Sequence, residues 1–186
     1  MSPGAKTGVY VALMRGVNVG GKNRLPMKDL AAIFGDAGCA DVVTYIQSGN
    51  VVFRATDACA ARVPAAVAKV VADRFAFRSP VVMRSAAELR AVARGNPYQK
   101  ACADLDALHV LFLADRPTAA RVAELDPHRS PPDEFQVRGR EVYFRCPNGV
   151  GRSKLTVGYF DSKLATTSTL RNWRTVLKLV EMSGAA

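Results

Sequence analysis

Short apolar runs alternate with amphipathic segments over the first half of the chain. The run VYVALM predicts a buried strand at 9–14, and helical spacing of apolar residues in PMKDLAAIFGDAG predicts a helix that starts near Pro26 and stops at Gly38. VVTYIQSGNVVFR predicts two strands around a Ser-Gly-Asn turn, residues 57–76 predict a long helix, and PVVMR (80–84) predicts another strand. This β-α-β-β-α-β order is the split βαβ, or ferredoxin-like, pattern.

The second half of the chain partly repeats this order. AAELRAVARGNP predicts a helix, LHVLFLAD a strand, PTAARVAELD a short helix from Pro117, and EFQVRGREVYFR a second hairpin that turns at 138–140. Both hairpins place a glycine turn before an apolar triplet that ends in Phe-Arg, which indicates a weak internal repeat. RSPPDE (129–134) is predicted to be a loop, and two helices, at roughly 154–164 and 169–182, are predicted to end the chain.

Hairpins join antiparallel neighbours, so this order favours antiparallel sheets over a parallel one. The predicted fold class is α+β, with two ferredoxin-like (split βαβ) subdomains and two C-terminal helices. The predicted first subdomain spans 1–85, and 86–186 forms a second α+β subdomain that includes the C-terminal helices. A chain of 186 residues is long enough to bury a core of this kind.

Positive charge is concentrated in two parts of the chain, whose formal net charge is +10. Residues 9–28 carry four basic residues and no acid, and residues 138–178 carry nine basic residues against Glu141 and Asp161. If these segments meet in space, they form a positive face that attracts anions, of which phosphates are the commonest class. The alternative is a basic surface that serves solubility alone.

The stretch RGVNVGGKNRLPM (15–27) has the composition of a phosphate-binding loop. Within it, GVNVGGKN matches G-x-x-x-x-G-K, but Asn23 stands where a Walker A motif has the Ser or Thr that holds magnesium. Pro26 disfavours helix at Leu25 and so delays the helix past Lys22. The hairpins also contradict the parallel sheet of such NTPases, so the sequence argues against a Walker-type nucleotide site.

A looser anion-binding role remains for this stretch. Gly20 and Gly21 can adopt positive φ and present successive backbone N–H groups to an anion. Lys22 and Arg24 would add charge-assisted hydrogen bonds. The alternative is that the glycines only make a turn and the cations stay solvated.

The loop PNGVGRSKL (147–155) is a second candidate because it runs directly into a predicted helix. Ser153 is the predicted N-cap, where an anion would meet free amides and the positive end of the helix, and Arg152 and Lys154 flank it. The alternative is that Ser153 acts only as a cap.

The last predicted helix separates an apolar face from a basic face. Helical spacing predicts an inward stripe of Leu170, Trp173, Leu177 and Val180. The second stripe is basic and is predicted to be solvated; it consists of Arg171, Arg174 and Lys178.

The remaining motifs exclude several classes of site. The four cysteines form no C-x-x-C pair and His109 and His128 are isolated, so no metal site is predicted and the thiols are expected to be reduced and mostly buried. No G-x-S-x-G, H-E-x-x-H or paired acidic motif occurs, so catalytic residues are unassigned and no cofactor is predicted. No apolar run is long enough to span a bilayer and no secretory signal is visible, so we expect a cytoplasmic protein with no membrane partner.

Four blocks of the sequence resemble a known family. MRGVNVGGKNRLPMKDL, TYIQSGNVVF, GRSKLT with the following YF and KL, and RNWRTVLKL are similar to the hallmark blocks of the bacterial domain of unknown function 1697 family. The resemblance covers the chain from about Val9 to Met182. It implies a cytoplasmic α/β protein of two ferredoxin-like subdomains, and it implies no reaction, substrate or catalytic residue.

Three functions are compatible with these observations. The first is binding of a phosphorylated or other anionic ligand, the second is binding of RNA or single-stranded DNA, and the third is an enzyme that acts on a phosphorylated small molecule, with Lys22 or Lys154 stabilising negative charge. The oligomeric state is left open. For the first function, the predicted ligand-binding residues are Arg15, Asn18, Gly20, Gly21, Lys22, Asn23, Gln47, Ser48, Asn50, Arg152, Ser153, Lys154 and Asn172.

Overall fold

The structure is a computed structural model that describes residues 6–184. The chain forms two compact units. The first unit runs to Arg90 and includes the chain from Leu179 onward, and the second unit is Ala91–Lys178. The boundary therefore falls within helix α3 (Ala86–Arg94), and the last helix, α6 (Trp173–Gly184), contributes to both units.

The first unit contains four strands and two complete helices in the predicted order. Its elements are β1 (Thr7–Met14), α1 (Met27–Asp36), β2 (Ala40–Tyr45), β3 (Asn50–Thr56), α2 (Asp57–Phe75) and β4 (Val81–Ser85). The sheet order is β2-β3-β1-β4, with all neighbours antiparallel. This is the strand order of a ferredoxin-like sheet, in which the first strand is central and each βαβ half is split by an intervening strand.

The core of the first unit lies between one face of this sheet and helices α1 and α2. The predicted helical stripe of α1, Leu30, Ile33 and Phe34, is buried there. The ring of Phe34 lies 5.3 Å from that of Phe53 on β3. Pro26 is the N-cap residue of α1 and does not lie in its first turn. Its backbone is extended (ψ 137°), so the helix begins at Met27.

The second unit repeats the same strand order. Its elements, beyond the end of α3, are β5 (Leu108–Leu113), α4 (Ala119–Ala123), β6 (Glu134–Arg138), β7 (Glu141–Arg145), α5 (Val157–Leu164) and β8 (Ser168–Asn172). The sheet order is β6-β7-β5-β8, again antiparallel throughout. Its core includes Leu111, Phe144 and Phe160. The predicted α+β class with two split βαβ subdomains and C-terminal helices is therefore confirmed.

The predicted helix at 169–182 is wrong in its first part. Residues 168–172 form strand β8, which pairs with β5 and completes the second sheet, so the helix begins only at Trp173. The buried stripe of α6 consequently runs through Trp173, Val176 and Leu179. The local pattern fitted a helix, but pairing with β5 overrides it.

The start of the preceding helix also differs from the prediction. A 3-10 turn at Val150–Arg152 precedes α5, which begins at Val157. None of the helices within residues 6–184 combines the length and apolarity needed to cross a bilayer.

Candidate functional site

The loop between β1 and α1, residues 15–26, is held in shape by two side-chain amides. Asn18 Oδ1 accepts a hydrogen bond from the backbone N–H of Leu25 (2.8 Å), and Asn18 Nδ2 donates to the Leu25 carbonyl (2.9 Å) and the Gln47 carbonyl (2.8 Å). Asn23 Nδ2 donates to the Gly16 carbonyl at 2.8 Å. Asn18 therefore closes the loop and joins it to the loop of the β2–β3 hairpin, 29 residues away.

The tip of this loop is a tight turn. The backbone N–H of Lys22 donates to the Val19 carbonyl at 3.0 Å, and the two central residues, Gly20 and Gly21, have φ of 57° and 75°. Two successive positive φ values are the mark of a type I′ turn, which explains both glycines. Among the residues that the structure describes, none accepts a hydrogen bond from the backbone N–H of Gly20 or Gly21, so both remain available to an anion.

An open cavity of about 440 Å³ lies where this loop meets the hairpin loop. Its lining is polar and basic, and consists of Asn18, Gly21, Lys22, Arg24, Leu25, Pro26 and Gln47. Lys22 and Arg24 are exposed, and neither takes part in any ion pair within residues 6–184. Since no carboxylate is found among the described lining residues, the cavity presents unneutralised positive charge.

The hairpin residues predicted for the site have different environments. Gln47 lines the cavity, whereas Asn50 is fully buried. The Asn50 amide donates to the Ser48 hydroxyl (2.9 Å) and the Tyr45 carbonyl (3.2 Å). Asn50 and Ser48 thus fold the hairpin loop at the predicted Ser-Gly-Asn turn.

Gly49 brings the hairpin loop against the end of β1. Its carbonyl accepts a hydrogen bond from the Met14 backbone N–H at 2.8 Å, and its φ is 72°. A Cβ atom at this position would lie 2.7 Å from the Met14 Cβ. The close approach needs glycine, and it fixes the hairpin loop beside the start of the 15–26 loop.

Arg15 has a different neighbourhood from the cavity residues. Its backbone N–H donates to the Pro80 carbonyl (3.0 Å), and its carbonyl accepts from the Ser79 hydroxyl (2.8 Å). These contacts fasten the start of the loop to the segment that precedes β4. Arg15 is partly buried and is not among the described residues that line the cavity.

In the second unit, Ser153 is not the N-cap of α5. Thr156 takes that position and accepts a hydrogen bond from the Tyr159 backbone N–H at 3.2 Å. Ser153 ends the 3-10 turn that precedes the helix, and its hydroxyl accepts from the Leu155 backbone N–H at 3.0 Å. The prediction that Ser153 caps the helix and places an anion at the helix amides is therefore wrong, because three residues separate Ser153 from the start of α5.

The 150–156 segment is fastened by residues that the sequence did not single out. Ser130 Oγ accepts from the Lys154 backbone N–H at 3.0 Å, and Arg129 Nε donates to the Lys154 carbonyl at 3.0 Å. The Arg129 guanidinium also lies 4.1 Å above the Tyr159 ring. The side chains of Arg152 and Lys154 are exposed. The sequence predicts a loop at RSPPDE (129–134) from its two prolines, but it does not predict that Arg129 and Ser130 bind the backbone of Lys154.

The residues at the start of α6 have structural roles. Asn172 Oδ1 accepts from the Arg174 backbone N–H at 2.9 Å and so caps the helix. The predicted solvated stripe is wrong for Arg171, which lies on β8 with 7% of its surface exposed. Burial lowers the pKa of Arg171 to about 10. Arg174 is exposed and forms an ion pair with Asp106, with 2.6 Å between Nε and Oδ1.

The structure brings together four of the predicted site residues in the first-unit cavity. These are Asn18, Gly21, Lys22 and Gln47, with Gly20 and Asn23 in the same loop. Arg24, which the charge pattern indicates, joins them. Arg152, Ser153, Lys154 and Asn172 belong to the second unit.

The sheet face used by ferredoxin-like RNA-binding modules is covered in the first unit. Val11, Leu13 and Val82 alternate with the core residues of their strands, and all three are buried. Phe53 packs in the core against Phe34, and Phe144 of the second unit is buried as well. An exposed aromatic pair of the kind that stacks on bases is therefore not offered by these strands.

The thiols and other potential metal ligands provide no competing site. The four cysteines are free, and three are buried. Burial, reinforced by the adjacent Cys59, raises the pKa of the Cys39 thiol to about 12, and burial raises that of Cys146 to about 12. Within residues 6–184 no group of three or more His, Cys, Asp or Glu side chains is arranged to hold a metal ion.

Comparisons with known proteins agree with this fold. No curated protein matches the chain. The structure is similar to that of the conserved bacterial protein SP0830 from Streptococcus pneumoniae, with a TM-score of 0.75 and 21% identity over 96% of this chain and 99% of that one. At this identity the likeness concerns the fold. The model of the family described as "Protein of unknown function (DUF1697)" matches residues 8–143, and the chain belongs to this family.

Proposed function

We propose that this protein binds a small phosphorylated anion in the cavity formed by the 15–26 loop and the β2–β3 hairpin loop. The observation that carries the proposal is the pair of exposed, unpaired cations Lys22 and Arg24 in a cavity whose described lining has no carboxylate. Such an arrangement leaves positive charge that a phosphate would neutralise.

The backbone of the loop supports the same ligand. The free N–H groups of Gly20 and Gly21 stand directly before Lys22, so an anion at the turn would receive backbone and side-chain hydrogen bonds together. Asn18 fixes the loop by three hydrogen bonds before any ligand arrives. A preformed loop avoids much of the ordering cost of binding.

The chemistry of the cavity supports binding over catalysis. The described lining residues offer cationic and amide side chains, and include no carboxylate, imidazole or thiol that could act as general base or nucleophile. For the enzyme alternative, Lys22 would serve only to stabilise charge. For the nucleic-acid alternative, the burial of Val11, Leu13 and Val82 removes the usual sheet surface, and binding would depend on the basic loops.

Thermal-shift measurements with inorganic phosphate, sugar phosphates, nucleotides and short oligonucleotides test the proposal. A ligand at 100 times its dissociation constant stabilises the fold by about 2.7 kcal/mol, which raises Tm by several degrees for a chain of this size. We expect Lys22→Gln and Arg24→Gln each to abolish most of this shift. Lys100→Gln, at an exposed lysine of the second unit, is the matched control and should keep it.

The predicted residues of the second unit are tested in the same assay. Arg152→Gln and Lys154→Gln remove two exposed cations from the 150–156 segment. A smaller ligand-induced rise in Tm in these variants would mean that the 150–156 segment contributes to the anion site. An unchanged rise would mean that the site is confined to the first unit. The proposal fails if no phosphorylated compound raises Tm, or if Lys22→Gln and Arg24→Gln respond like Lys100→Gln.

A further inference from the structure

The loops that border the cationic cavity expose two aliphatic side chains. Val19 stands in the glycine turn with 62% of its surface exposed, and Ile46 stands in the hairpin loop with 49% exposed. Each is the chain neighbour of a cavity residue, Asn18 and Gln47 respectively, and the Asn18 Nδ2–Gln47 O hydrogen bond of 2.8 Å holds the two loops together. Each of the two joined loops thus carries an exposed apolar side chain next to a residue of the cavity lining.

Ile46 is held in this position against its own backbone preference. Its φ is 48°, in the left-handed region that β-branched residues rarely adopt. A glycine, asparagine or aspartate would fit this turn position with less strain, and a polar residue would suit its exposure. Neither burial nor backbone preference accounts for this isoleucine, and strained residues of this kind cluster at ligand-binding sites.

We infer that the cavity selects a phosphate that is carried on an apolar or aromatic group, with the phosphate at Lys22 and Arg24 and the apolar group against Val19 and Ile46. This inference rests on the proposed function and adds the class of ligand. Pro26, which is exposed in the cavity lining, adds to this apolar surface. A polyol phosphate gains nothing from these three apolar side chains, since the hydroxyl groups of the polyol are better solvated by water.

Three probes of defined chemistry test the inference by isothermal titration calorimetry: inorganic phosphate, glycerol 3-phosphate and phenyl phosphate. The two esters carry the same dianionic group and differ in their apolar area. Burial of an aromatic ring against two half-exposed aliphatic side chains is expected to make phenyl phosphate bind at least about 10-fold more tightly than glycerol 3-phosphate. Equal affinities for the two esters would overturn the inference.

Val19→Thr and Ile46→Thr locate the apolar contact. Threonine keeps the β-branch, so the backbone preference is retained while a methyl group is replaced or lost. Each variant is expected to weaken phenyl phosphate binding by about 3- to 10-fold and to leave inorganic phosphate binding unchanged. Val43→Thr is the control, because Val43 is 50% exposed on strand β2 and belongs to neither loop.

The outcomes separate the two proposals. If inorganic phosphate and both esters bind with Lys22-dependent affinity but Val19→Thr and Ile46→Thr behave like Val43→Thr, the ligand class is wrong and the proposed function stands. If none of the three probes binds, the inference fails, and the proposed function is decided by the thermal-shift panel of nucleotides and sugar phosphates. Selective loss of phenyl phosphate affinity in the two loop variants supports the inference.

Discussion

Arg84 and Arg171 occupy equivalent positions in the two sheets, and both are buried. Arg84 pairs with Val11 across β4 and β1, and Arg171 pairs with Val110 across β8 and β5. Each guanidinium donates from Nη1 to the carbonyl of the residue before it, at 2.7 and 2.8 Å. A helix follows directly in each unit, so the internal repeat extends from strand order to single side chains.

Removing the Arg171 side chain is expected to destabilise the protein strongly. Arg171→Ala would leave a cavity in a buried sheet and remove one hydrogen-bond donor each from the Leu170 carbonyl and the Thr169 hydroxyl, at a cost of about 2–4 kcal/mol in the free energy of unfolding. Urea titration followed by fluorescence of the buried, single Trp173 measures this change.

Arg174→Ala provides the comparison for Arg171. Its guanidinium is exposed and forms a surface ion pair with Asp106, so its loss should cost far less stability than the loss of Arg171. Equal effects of the two substitutions would show that burial of Arg171 contributes nothing to stability.

Gly49→Ala is expected to disrupt the junction of β1 and the hairpin loop. The new Cβ would stand 2.7 Å from the Met14 Cβ, and the φ of 72° disfavours any L-residue, so we expect a loss of about 2–4 kcal/mol. Gly158→Ala is the opposite case, since Gly158 lies within α5 with open space around its Cβ position. That variant should gain roughly 0.5–1 kcal/mol from helix propensity. Chemical denaturation distinguishes the two, and a stable Gly49→Ala protein would contradict the close approach.

The pH dependence of stability should reveal His109. Burial is the main cause that lowers the pKa of this imidazole in the folded protein below 6.5. The unfolded state therefore binds a proton more readily, and stability is full above about pH 6.5 and falls as the pH drops below that value. One such histidine can change the free energy of unfolding by up to about 1.4 kcal/mol per pH unit.

Urea midpoints at pH 7.5 and 5.5 measure the contribution of His109. We expect the acid-induced loss of stability to shrink in His109→Gln. His128→Gln, at an exposed histidine, should behave like the unsubstituted protein. The same loss in His109→Gln would assign the pH dependence to other groups.

Much of the fold could be predicted because most of its helices and strands have recognisable local sequence patterns. The stripe of Leu30, Ile33 and Phe34 defined α1, and the two hairpins required antiparallel sheets. Strand β8 could not be predicted in this way, because its five residues fit a helical pattern with the residues that follow. Only its pairing with β5, some 60 residues earlier, decides its conformation.

The candidate site could be predicted as a basic glycine loop but not as a cavity. Lys22 and the two glycines are visible in the sequence. The bond from Asn18 to the Gln47 carbonyl depends on a contact across 29 residues, and nothing local signals it. Likewise Ser153 looked like a cap because it precedes a helical pattern, whereas the extended backbone of Thr156 sets the true start.

Ile46 links stability to the proposed ligand contact, so its substitution should move the two in opposite directions. Ile46→Asn relieves the strain of a β-branched residue at φ 48° and replaces an exposed apolar side chain by a polar one. We expect the free energy of unfolding to rise by about 1 kcal/mol, the typical penalty of the left-handed conformation that asparagine tolerates. Phenyl phosphate affinity should fall in the same variant.

Val43→Asn is the control for polarity alone, because Val43 is equally exposed but has no positive φ. Val43 lies on a strand, so this variant should be less stable than the unsubstituted protein. A destabilised Ile46→Asn protein would mean that the isoleucine contributes to folding, and the trade-off between stability and binding at this loop would be refuted.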